Sequence, residues 1–198
     1  MNPRPWMILL LAAFATPLPV TAQTLEWLPE EIQERAAQDL SQRLGKTGFF
    51  EGKSDEEVLQ GSRRMVSGIH KRLNEIGPQG VFEATTALPS FAMPEIDDPI
   101  LTALARLGFC KFPLDIITED ESAESDQRFA ATLSAFWSDM TFAFLRAHYY
   151  AQGGKEEEIK AALTSDPLNQ ISAKVQTDQQ AAQTAANECS PTFENLMK

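Results

Sequence analysis

Between Phe129 and Gln152 the chain carries a run that is apolar on nearly every side when coiled into a helix, with Phe129, Leu133, Phe136, Trp137, Met140, Phe144 and Tyr149 spread round its circumference. A helix without a polar face has to be surrounded by other elements, so this stretch demands a shell of further helices. Asp139 and Arg146 lie within it. Charges are costly at bilayer depth, so the run reads as a core helix and not as a membrane span. Gly153-Gly154 supplies its end.

The flanking segments have helical spacing as well. Pro29-Glu30-Glu31 begins a helix with proline in the first turn and acids at the positive end of the dipole, and Ile32, Ala36, Leu40 and Leu44 form its stripe before Gly45. Ser54 and Glu57 form a capping box ahead of a stripe of Val58, Val66, Ile69 and Leu73, which Gly77-Pro78 terminates. A short helix is expected from Gln79 to Leu88. Asp98-Pro99 offers a cap and a first-turn proline for a helix ending near Gly108. Phe109 to Pro113 reads as an extended exit, and Phe112 to Thr118 is the one plausible strand. Glu119 to Asp126 is an acidic entry to the apolar helix, and Lys155 to Leu163 is a short charged one. A last helix from Ser165 has a seam of Leu168, Ile171, Val175, Ala182, Ala186 and Cys189, with Ser190-Pro191 releasing a tail. The expected fold is all-α: an irregular bundle of five to seven helices round a central apolar helix at about 126–152, braced by one disulfide.

Residues 1–22 read as a signal peptide, and 23–198 as a single helical domain. Arg4 gives a positive start, Trp6 to Ala15 an apolar run, and Val20-Thr21-Ala22 small residues before a cut at Gln23. The run is far shorter than the roughly 20 residues a bilayer span needs, so no stable membrane insertion is expected after cleavage. The product is expected to be soluble and exported, either periplasmic in a bacterium or secreted. Export favours pairing Cys110 with Cys189, the only cysteines, over two free thiols, and no C-x-x-C spacing marks a redox pair.

Composition excludes several function classes. The net charge of −11 opposes binding to phosphate backbones, so no nucleic-acid partner is expected. The two Cys and two His stand about 40 residues apart, without the paired spacing of a Cys/His zinc site, and no metal or cofactor is implied. There is no G-x-S-x-G elbow, phosphate loop or dinucleotide fingerprint. Arg63, Arg64, Lys71 and Arg72 make one basic helix, read as a solvated face pairing with nearby acids. Loop and helix-end aromatics therefore carry the binding expectation: Phe49, Phe50, Phe82 and Phe91, together with His148 and Tyr149 near the end of the apolar helix. The expected role is non-catalytic binding of a protein partner or an apolar ligand by an acidic exported protein. The alternative is a carboxylate-dependent hydrolase of an extracellular polymer, for which Glu83 and Glu95, each among apolar neighbours, are candidates while no catalytic pair can be chosen.

A cleavable signal has a direct readout. Mass analysis of the exported product from a bacterial host is expected to give a chain starting at Gln23, and a product retaining Met1 refutes the assignment.

Overall fold

The computed structural model describes residues 26–85, 96–164 and 166–197. The expected signal segment, Phe91 and Glu95 lie outside them. Among the described residues there are seven helices and no strand: α1 (Glu30–Gly45), α2 (Asp55–Thr85), α3 (Pro99–Glu119), α4 (Ser125–Ala151), α5 (Glu156–Leu163), α6 (Asp166–Thr177) and α7 (Gln179–Met197). None is long and apolar enough to cross a membrane.

The helix starts follow local chemistry. Glu57 Oε2 accepts from the Ser54 amide at 2.9 Å while Ser54 Oγ accepts from the Glu57 amide at 3.3 Å, which is the reciprocal capping box before α2. Asp98 Oδ1 accepts from the amides of Ile100 and Leu101 at 2.8 and 3.0 Å, capping α3 behind Pro99. In α2 the glycine at 77 takes φ 67 and ψ 175, a conformation open to glycine, so the helix breaks there and restarts at Pro78. Gly153, at φ 91, ends α4.

Four expectations are corrected. The chain from Phe109 to Thr118 is neither an extended exit nor a strand, because α3 runs on through Pro113 to Glu119. A helix-interior proline costs about 3 kcal/mol. Beyond Gly108, however, Cys110, Leu114 and Ile117 are buried at helical spacing, and each buried aliphatic side chain contributes about 1.5–3 kcal/mol. Continuing the helix therefore wins. The last helix is two, parted at Asp178, whose Oδ1 accepts from the Ala181 amide at 3.1 Å. Aspartate serves the backbone better as a cap than in mid-helix. Ser190-Pro191 does not release a tail, since α7 continues to Met197. The turn before it is already fixed through Cys189, and adding residues to a formed helix is cheap. In α1 the buried stripe is Ala37, Leu40 and Leu44, with Ile32 41% exposed, and the left-handed glycine after it is Gly48, not Gly45.

The middle of the bundle is an antiparallel pair, α3 and α4. Ser138 Oγ donates to the Leu107 carbonyl at 2.9 Å, and Arg128 Nε donates to the Thr118 carbonyl at 3.2 Å, which fixes their register at two levels. Helix α3 also packs on α2, α5, α6 and α7, while α4 packs on α1, α2 and α7. The core runs through both, with Leu104, Leu107 and Leu114 from α3 and Phe144 and Leu145 from α4 fully enclosed. Ahead of α1, Trp27 and Leu28 are buried in the same core, and Trp27 Nε1 donates to Asn74 Oδ1 at 3.0 Å.

Cys110 and Cys189 form a disulfide that ties α3 to α7, with Cα atoms 5.6 Å apart and a sequence separation of 79. Closing a loop of that length restricts the unfolded chain by roughly 4–5 kcal/mol. Replacing both cysteines by alanine is expected to lower unfolding free energy by up to about that amount in denaturant titrations, and an unchanged midpoint contradicts the bridge's role.

Candidate functional site

The residues expected to bind are dispersed by the fold. Phe49 and Phe50 lie in the loop after α1 and close on the first turns of α4: Phe49 stacks on Phe129 at 4.1 Å with the rings 12° from parallel, and Phe50 meets Phe129 edge-on at 5.6 Å. They plug that end of the bundle, although Phe49 remains 45% exposed. Phe82 is on α2 and not in a loop, half-buried against the core. Tyr149 is buried, and its hydroxyl donates to Glu158 Oε2 at 2.7 Å across the α4–α5 turn. Burial first, and that carboxylate second, push the phenol up to about 12. Tyr149 is thus a structural clamp.

His148 packs edge-on against Phe144 at 4.5 Å, Phe144 meets Trp27 at 5.2 Å, and Trp27 meets His70 at 5.2 Å. His70 therefore borders the buried Trp27 directly, and His148 is linked to it only through Phe144. Asn74 joins the group, its Nδ2 lying 3.1 Å from His70 Nε2. Burial holds both histidines below their ordinary value, with Glu26 opposing the shift at His70. Apolar packing round His148 thus favours its neutral ring.

The cleft that the fold does build uses other residues. It lies at the seam of α3 and α4 beside α5 and α6, which pack on α3, has a volume of about 380 Å³, and is lined by Leu107, Gly108, Phe109, Phe112, Phe142 and Leu163, with Lys111, Ser138, Asp139 and Ser172 also at its walls. That volume falls in the range of small-molecule sites. Helix α5 comes close because α3 has glycine at 108. A Cβ there would stand 2.6 Å from Leu163 Cδ2. Ser138 uses its hydroxyl on the Leu107 carbonyl and leaves the cleft wall apolar.

A charged network borders this cleft. Arg43 Nε pairs with Asp39 at 2.8 Å and its Nη1 with Asp139 at 3.3 Å, while Lys111 pairs with Asp115 and lies 3.8 Å from the other oxygen of Asp139. Burial pushes the Asp139 carboxyl above its ordinary value, outweighing Lys111 and Arg43, and Asp115 adds to the rise. On its other side Lys111 faces a polar trough of about 870 Å³ that Arg43, Lys46, Asp115, Glu119 and Arg128 also line. On the basic face of α2, Arg63 is bound twice to Glu34 at 2.7 and 2.9 Å and Lys71 lies near Glu75. Among the described residues no group of three or more His, Cys, Asp or Glu side chains is placed to hold a metal ion.

Fold and cleft together define a disulfide-braced helical bundle with an apolar slot beside a half-buried ion network. Comparison with protein-family models, curated proteins and solved structures yields no match.

The cleft was not visible in sequence. Its walls come from four helices, and Phe109 and Phe112 were read as an extended segment, which aims side chains differently from a helix. The one available signal was the 3–4 spacing of Leu107, Cys110, Leu114 and Ile117 across Pro113.

The two histidines give a pH dependence of definite sign. A folded-state pKa below the unfolded value of about 6.5 means the unfolded chain binds more protons in that range. Their contribution to stability is complete above pH 6.5 and is lost as pH falls below it. The melting midpoint is therefore expected to drop between pH 7 and pH 5, and to drop less in the His70→Gln and His148→Gln variants. Parallel pH profiles in wild type and variants would refute the role of these rings.

Proposed function

We propose that the protein acts by non-catalytic binding, taking a small apolar ligand in the cleft between α3, α4, α5 and α6. The observation that carries this reading is the cleft itself: a slot of about 380 Å³ walled by Leu107, Phe112, Phe142 and Leu163 in a chain whose polar groups there are largely spoken for. Apolar walls with a few placed polar atoms suit ligand capture. Asp139 is paired with Arg43 and Lys111, and among the described residues no second carboxylate lines the slot to complete an acid–base pair. This weighs against the hydrolase alternative.

The protein is further proposed to work outside the cytosol, in a bacterial periplasm or as a secreted product. The bridge between Cys110 and Cys189 supports that compartment, because such bonds persist where the surroundings are oxidising. The sequence reading of residues 1–22 as an export signal points the same way.

A neutral fluorescent probe tests the binding reading. N-phenyl-1-naphthylamine is expected to show a saturable rise in emission with one site per chain, and Ser172→Phe, which fills the slot from α6, to weaken binding at least tenfold. No saturable binding by the oxidised protein, or equal binding by the filled variant, overturns the assignment.

A further inference from the structure

We propose that the cleft takes a cationic amphiphile, a lipophilic amine or quaternary ammonium compound, whose charged head lies at Asp139 and whose apolar body fills the slot between Phe112, Phe142 and Leu163. This rests on the reading of the cleft as an apolar-ligand site and adds the sign of the ligand's charge. The first argument is local charge. Three carboxylates, Asp39, Asp115 and Asp139, share two cations, Arg43 and Lys111, so the network bordering the slot has one uncompensated negative charge. Asp139 and Lys111 are its members that reach the slot. Lys111 is already engaged on both sides, by Asp115 and by Asp139. An anionic head arriving there would compete with two carboxylates for one ammonium.

The second argument is the state of Asp139. Burial raises its proton affinity although two cations stand beside it. The ionised carboxylate is therefore under-stabilised, and a further positive charge at the slot relieves this. Third, the walls suit such a molecule. Phe112 and Phe142 line the slot from α3 and α4 and give the apolar body a large contact area close to the head at Asp139. The net charge of −11 also favours encounter with cations over anions.

The test uses three probes with one tail: decyltrimethylammonium, decanoate and 1-decanol, each below its aggregation limit, titrated calorimetrically into the oxidised full chain. Decyltrimethylammonium is expected to bind at least tenfold more tightly than decanoate, with decanol between them. Asp139→Asn is expected to abolish the preference for the ammonium over decanol. Lys111→Gln, which removes a competing cation, is expected to tighten ammonium binding several-fold. Glu30→Gln on the exposed start of α1 makes the same change in net charge as Asp139→Asn and is expected to have no effect. Decanol binding without a preference for the cation, or with a preference for decanoate, overturns this inference and leaves the apolar-ligand reading standing. An ammonium preference that Glu30→Gln reduces as much as Asp139→Asn also overturns it, since the attraction then belongs to the whole surface. If no probe binds, both readings fall together.

Discussion

The packing of α3 against α4 is the contact from which the other positions in the bundle follow. Ser138 against the Leu107 carbonyl, Arg128 against the Thr118 carbonyl and Lys111 beside Asp139 mark one register along its length. Helix α7 is fastened to α3 through Cys110, and α5 settles on α3 where Gly108 has no side chain to hold it off. A slip of this register by one residue would turn Leu107 and Leu114 out of the core and pull Ser138 from its acceptor. The slot exists because α5 and α6 pack beside this seam without filling it.

The ion network belongs to the same seam. Arg43 reaches in from α1, Asp139 comes from α4, and Lys111 and Asp115 are one turn apart on α3. Half-buried charges lose hydration and recover it only in part through their partners, so such networks add little net stability. What the network does is limit how α1, α3 and α4 can sit, because a shifted helix would strand a charge. It also gives an otherwise apolar slot a polar rim with a definite sign. Stability from packing and selectivity from charge thus meet on adjacent faces of one helix pair.

Much of the fold was readable one element at a time. Ser54 with Glu57, and Asp98 with Pro99, mark helix starts because capping depends on residues within three positions of each other. Gly77 and Gly153 mark breaks because a left-handed backbone favours glycine at once. The misread positions are those where a local rule met a distant contact. Pro113 is a local breaker, but burial of Leu114 and Ile117 overrides it. Trp27 precedes the first of the described helices, and nothing near it in sequence announces that it packs beside His70 and Phe144. The candidate site fared worst. Aromatics in loops were a reasonable guide to exposed contacts, yet Phe49 and Phe50 close over Phe129, and the slot is walled by aromatics of helical segments.

The helical class, most helix ends and the pairing of the two cysteines are written in the chain, since periodicity, capping and a count of two are local properties. Long-range packing alone carries α3 through its proline, sets His70 against Trp27, and stands Asp139 between Arg43 and Lys111 at the edge of an apolar slot. Those outcomes depend on which faces meet across about a hundred residues of chain. A side chain's neighbours at that range are set by the summed packing of several helices, and no single stretch of sequence contains that sum.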